Sequence, residues 1–174
     1  VFQVMDKSML GWLSTKAESG YYYNTDMLVY LPVGIIGGLG TVFLARLSFL
    51  YAEENREEIN KVLLESFELY SCIACPLSFG IAAIANEFIP LFFGSEFYPC
   101  VLLTYLLCPA IILKTYSTLL KNEVFIPSHK ENYFTFSVIV AAVVNVIMNY
   151  LLIPKLGATG AVIGTIGAEF SELV

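Results

Sequence analysis

Six side chains are candidates for chemistry in an otherwise apolar chain: Asp6, Lys7, Asp26, Lys114, Asn145 and Asn149. Each falls in or beside a stretch apolar enough to enter a bilayer, where an ionisable group is costly and usually faces a bundle interior, a cavity or a partner. Asp6 and Lys7 are sequence neighbours, so on a helix they point in different directions and do not simply neutralise each other. Asp26 follows a run of three tyrosines, Tyr21 to Tyr23. It reads either as an interfacial carboxylate reaching water or as an ion-coupling acid. Lys114 lies about two helical turns from Lys121. It can snorkel to the interface or line a cavity, where its ammonium would attract an anionic substrate, notably a diphosphate. Asn145 and Asn149 are four residues apart and share a helix face with Ser137, Ala141 and Ala142. They read as interhelical hydrogen bonders or as the lining of a polar path.

Other chemistry finds little support. Cys72 and Cys75 form a C-x-x-C, but within an apolar span and without a second pair. The single histidine, His129, lies in a predicted loop. The four cysteines therefore read as small packing residues, and neither a metal site nor a cofactor is expected. There is no H-E-x-x-H, G-x-S-x-G or P-loop, so an enzyme is not expected. The nine basic residues are scattered rather than striped, which argues against a nucleic-acid partner.

The elements that must position these groups are membrane helices. Hydrophobic residues make up 57% of the 174, charged residues 14%, and the mean hydropathy is +0.74. Soluble domains carry about a quarter charged residues. The pattern predicts an all-α polytopic transmembrane bundle of about six helices in a single membrane domain over residues 1–174, with the bilayer as its main partner. The expected spans are 1–14, 24–47, 62–86, 98–120, 131–153 and 157–174. Pro32 and Pro76 are expected kinks. The intervening segments read as a loop at 14–20, a charged loop running into an amphipathic helix start at 51–61, an interfacial elbow at 87–97, a polar loop at 122–130 and a turn at 154–157.

The last two spans form a hairpin whose second arm is rich in small residues, with Gly160 and Gly164 spaced for close helix approach. This stripe is expected to pack on Gly34–Gly40 of the second span or on a helix outside the chain. The hairpin thus reads as scaffold, with only the Asn145/Asn149 face a site candidate. The chain starts at Val1 and stops at Val174, and reads as a piece of a longer protein with a truncated first helix. Counting Lys and Arg on alternate sides puts five (Arg46, Arg56, Lys61, Lys121, Lys130) against two (Lys16, Lys155), which makes the first side cytoplasmic.

Three stretches carry a family resemblance. Asp6-Lys7-Ser8-Met9-Leu10-Gly11, with Leu31-Pro32 and Leu39-Gly40-Thr41-Val42-Phe43-Leu44-Ala45-Arg46-Leu47-Ser48, resembles the start of the second half of bacterial polysaccharide repeat-unit flippases. Phe88 to Phe97 resembles an elbow of that family, and Ile153 to Ala161 its late hairpin turn. The family belongs to the multidrug/oligosaccharidyl-lipid/polysaccharide exporter superfamily. The resemblance implies one half of a two-lobed, twelve-helix transporter in the bacterial inner membrane, needing its N-terminal half as partner. It implies movement of a polyprenyl-diphosphate-linked oligosaccharide by alternating access, for O-antigen, lipopolysaccharide or other surface polysaccharide. It also implies a polar lumen, to which Asp6, Lys7 and Lys114 would contribute. A cation-coupled multidrug antiporter of the same superfamily is the alternative, and a membrane enzyme of glycan assembly a third reading.

Overall fold

The computed structural model describes residues 2–173, with side chains from residue 4. The outermost residues of the first and last expected spans, Val1 and Val174, lie outside the described residues. Every regular element described is helical: α1 (Phe2–Leu13), α2 (Lys16–Ala52), α3 (Arg56–Phe93), α4 (Pro99–Leu107), α5 (Pro109–Leu119), α6 (Glu131–Leu156) and α7 (Ala158–Leu173), with short 3₁₀ and π turns at Ser95–Phe97 and Leu120–Phe125. The chain is an all-α membrane bundle. Four helical runs are long and apolar enough to cross a bilayer: α2, α3, Pro99–Phe125 and α6. α1, at 12 residues, and α7, at 16, are shorter.

The helices run further than the sequence pattern suggests. α2 has 37 residues and α3 has 38, each about 55 Å at 1.5 Å per residue. Both pass through their prolines without interruption. Only Ser14 and Thr15 separate α1 from α2, so the loop expected at 14–20 is mostly helix. Thr15 N-caps α2, its hydroxyl accepting from the Glu18 amide at 3.3 Å. Asn55 does the same for α3, accepting from the Glu58 amide at 3.2 Å. The elbow expected at 87–97 is largely the end of α3. Phe88 and Phe92 stack one turn apart at 5.2 Å, and the chain turns only at Gly94, where φ is +100°.

The expected loop at 122–130 also begins as helix. The π turn Leu120–Phe125 carries Glu123 inward, fully buried, where it accepts a hydrogen bond from Ser66 of α3. A polar residue that finds a partner inside the bundle can continue an element instead of ending it. The fourth span breaks at Cys108, before Pro109, which has no N–H to continue the ladder. The Cys108 carbonyl accepts from Ser78 of α3 at 2.9 Å.

The glycine stripe of α7 packs differently from expectation. A Cβ built on Gly160 would meet the backbone of Leu152 at 2.6 Å, so the stripe lies against α6, its own hairpin partner. Gly34, Gly37 and Gly38 have nothing within 4 Å of a built Cβ; Gly40 approaches Tyr70 and Asn122 instead. The short turn at Gly157 (φ +57°) folds α7 straight back onto α6, which leaves α2 no room on that face. The largest apolar cluster joins Leu10, Tyr22, Val29, Leu107, Ile111 and Val162, from α1, α2, α4, α5 and α7. Outward faces carry large apolar side chains, such as Ile35, Val42, Phe79 and Ile147, as lipid contact requires.

Candidate functional site

Polar side chains inside the bundle gather into two groups, both built on α7. Thr165, Glu169 and Glu172 lie at i, i+4 and i+7, so they share one face of that helix, and all three are buried. On α2, Tyr22, Asp26 and Tyr30, at i, i+4 and i+8, also share a face, and the two tyrosines reach Thr165 and Glu169. The result is a polar seam between α7 and its neighbours.

The first group centres on Asp6. Its side chain is fully buried, and three elements supply four donors. Tyr22 of α2 donates its hydroxyl to Oδ2 at 2.6 Å, and Thr165 of α7 reaches the same oxygen at 2.7 Å. Asn145 and Asn149 of α6 donate their amides to Oδ1 at 2.8 and 2.5 Å. A carboxylate accepts at about four lone-pair sites, so a buried charge is met here by donors rather than by a counter-ion. Asp6, Asn145 and Asn149, read separately in the sequence, thus meet at one point, and the two asparagines bond between helices instead of lining an open path. Oδ1 of Asn149 has no hydrogen-bond partner. Among the described residues no three His, Cys, Asp or Glu converge as a metal site.

Lys7 does not join this group. It turns to Asp26 of α2, with Nζ and Oδ2 2.7 Å apart, and its ammonium lies 4.7 Å from the Tyr23 ring centre. Asp26 is therefore a buried carboxylate in an ion pair, 4% exposed, rather than one reaching freely into water. Its Oδ1 has no hydrogen-bond partner.

The second group centres on Lys114 of α5. Its ammonium stands 3.3 Å from Glu169 Oε2 and 3.3 Å from Glu172 Oε2. Ser117, also on α5, donates to Glu172, and Tyr30 of α2 donates to Glu169 at 3.4 Å. Lys114, Glu172, Thr118, Lys121, Asn122 and Phe134 contribute to a cavity of about 280 Å³ between α5, the π turn and α6. Lys114 thus lines a cavity, but Asn145 and Asn149 do not share it. Nor is its charge exposed to an anion unopposed, since two carboxylates flank it.

Sequence reasoning gave α7 a scaffold role, and this the structure corrects. α7 holds Thr165 in the first group and both glutamates in the second. The missed residues Tyr22, Tyr30, Thr165, Glu169 and Glu172 had a signal: their helical spacing puts polar side chains on one face of an apolar helix. A smaller polar contact, Glu123 with Ser66 near Tyr70, was missed as well, and spacing alone offers no sign of it.

Glu18 fastens the hairpin. Its Oε2 accepts from the Ala158 amide, the first of α7, at 2.7 Å. A carboxylate there satisfies an orphan donor and faces the positive end of the helix.

Comparison with known proteins adds the following. The lipid II flippase MurJ family matches residues 11–174; Asp6 and Lys7 precede the matched stretch. The probable low-salt glycan biosynthesis flippase Agl15 of Haloferax volcanii is 20% identical over 161 residues, covering 92% of this chain and 34% of that protein. The chain therefore spans about a third of that relative's length. No solved structure matches.

Proposed function

Because this chain belongs to the lipid II flippase MurJ family, whose pattern it follows over residues 11–174, we propose that it is part of a membrane transporter that moves a lipid-linked glycan between bilayer leaflets. The family match is the observation that carries this reading. The cargo is a polyprenyl-diphosphate-linked oligosaccharide for cell-surface polysaccharide. The transporter works by alternating access in a prokaryotic plasma membrane, and this bundle is one lobe packed against another. The seam along α7 supports the mechanical part. Helices α1, α2, α5, α6 and α7 are tied by buried polar contacts that have alternative partners, as an element with two arrangements needs. Lys114, at the cavity, is the residue of this lobe placed to meet a polar headgroup, and only by exchanging Glu169 or Glu172 for it.

The test is reconstitution of the full-length protein in vesicles loaded with a polyprenyl-diphosphate glycan. Arrival of the glycan at the opposite leaflet, read by an impermeant enzyme or lectin, is the expected result. Cation-driven efflux of drugs without glycan movement would establish the antiporter reading instead. Chemical conversion of the lipid-linked glycan by the purified protein would establish an enzyme.

A further inference from the structure

The group around Lys114 has an uneven charge. Glu169 and Glu172 are 2% and 6% exposed, so both carboxylates are withdrawn from water. Among the described residues a single ammonium, Lys114, lies within ion-pairing distance of them. The remaining neighbours are neutral: Ser117 on Glu172 and Tyr30 on Glu169. Lys121 lines the same cavity, but its side chain is exposed, its Nζ stands 5.8 Å from the Phe134 ring centre, and it forms no ion pair with either glutamate. The other buried acids along the seam are satisfied elsewhere, Asp26 by Lys7 and Asp6 by its four donors. The glutamate pair therefore carries one more negative charge than its single ammonium balances.

A second observation marks where a positive charge would enter. Glu169 Oε2 is buried without a hydrogen-bond partner, and it faces the shared ammonium at 3.3 Å. Glu172, the other member of the pair, reaches the wall of the 280 Å³ cavity. The pair thus has a dry inner carboxylate with spare acceptor capacity and an outer one on an access route. Two carboxylates this close cannot both stay charged inside a bundle on one counter-ion without large cost.

We propose that Glu169 and Glu172, with Lys114 as their fixed counter-ion, form an exchange site for one small monovalent cation, a proton or an alkali-metal ion. With the cation bound, the group is neutral and holds α7 to α5 and α2. With the cation released through the cavity, the two carboxylates repel, and the α5–α7 contact is the one that loosens. The site is separate from the Asp6 group, and it does not depend on the identity of the transported glycan.

Charge counting gives the test, on full-length purified protein without lipid substrate. Glu169→Gln and Glu172→Gln each remove the surplus charge at nearly constant shape, and Glu169→Asp keeps it. One arm measures protons released on an alkaline step in sodium-free buffer. The other measures bound ²²Na⁺ at alkaline pH. The expected result is one cation fewer per molecule, in one arm, for either Gln variant relative to wild type and to Glu169→Asp. The arm that changes identifies the ion. Equal counts for wild type and both Gln variants in both arms overturn the proposal. Differences are taken against wild type, so binding elsewhere cancels, and two Gln variants guard against one failing to fold. Failure here leaves glycan movement untouched, and failure of glycan movement leaves the count untouched.

Discussion

Gly160→Ala tests the close packing of the α6–α7 hairpin. A Cβ at this position meets the Leu152 carbonyl carbon at 2.6 Å, its oxygen at 2.7 Å and the Ile153 nitrogen at 2.9 Å. All three are backbone atoms of the facing helix, so no side chain can swing aside. Ordinary contact begins near 3.4 Å, so the two helices must part by about 0.8 Å at this level. Overpacking costs about 1–3 kcal/mol, and with only backbone atoms to displace the cost lies at the upper end, about 2–3 kcal/mol. Alanine returns up to about 1 kcal/mol of helix propensity, leaving a net loss of about 1–2 kcal/mol. For a chain of this size that is a fall in Tm of about 2–8 °C. The control is Gly38→Ala in α2, where a Cβ meets nothing within 4 Å. The propensity gain then stands alone, and Tm should hold or rise. The assay is thermal unfolding in detergent, followed by size-exclusion fluorescence. An unchanged Tm for Gly160→Ala would refute the packing of the stripe on α6. A large fall for Gly38→Ala would show that the glycines of α2 are packed after all.

Three further substitutions probe the polar contacts. Lys7→Met strands Asp26 as a buried, unpaired carboxylate and should destabilise by about 3–5 kcal/mol. Adding Asp26→Asn should recover most of that loss, as a double-mutant cycle of Tm values would record. Asp6→Asn turns an acceptor-only group into one that presents N–H to N–H, and should cost about 1–3 kcal/mol for each donor left unsatisfied; the readout is Tm, with loss of hydrogen-exchange protection around Tyr22 and Thr165. Glu18→Gln removes the charge facing the start of α7 and should cost about 0.3–1 kcal/mol, less in high salt; a salt-independent change would place the effect elsewhere.

Most of the fold was legible because the bilayer leaves few options. Long uncharged runs with Tyr and Trp at their edges must be helices, whatever their order. What failed were the ends. Ser14–Gly20, Glu87–Phe93 and Asn122–Phe125 look polar or proline-broken enough to be loops. In the structure Thr15 caps a helix start, Pro90 is absorbed into α3, and Glu123 finds Ser66 inside the bundle. A composition argument prices a polar residue against water or lipid. A partner 57 residues away lies outside that comparison.

The same gap explains the site. A sequence shows which side chains share a helix face, but not which faces meet. Asn145 and Asn149 were rightly placed on one face; that the face looks at Asp6 is a fact about how α1 packs on α6. For Lys114 the sequence leaves two readings open, snorkelling to the interface or lining a cavity that would attract an anion. Its partners are 55 and 58 residues on, at the far end of a helix that small residues had marked as scaffold. Yet smallness and polarity belong together here. The small residues let α7 sit at the centre of the bundle, against α1, α2, α4, α5 and α6. A central helix is where a polar face can be buried on partners from several sides at once. The small-residue stripe and the Thr165–Glu169–Glu172 face are thus two sides of one arrangement: close packing on α6 behind, and polar contacts to α1, α2 and α5 in front. In an apolar chain, a small-residue helix that also carries acids is better read as the place to look for a site than as the frame around it.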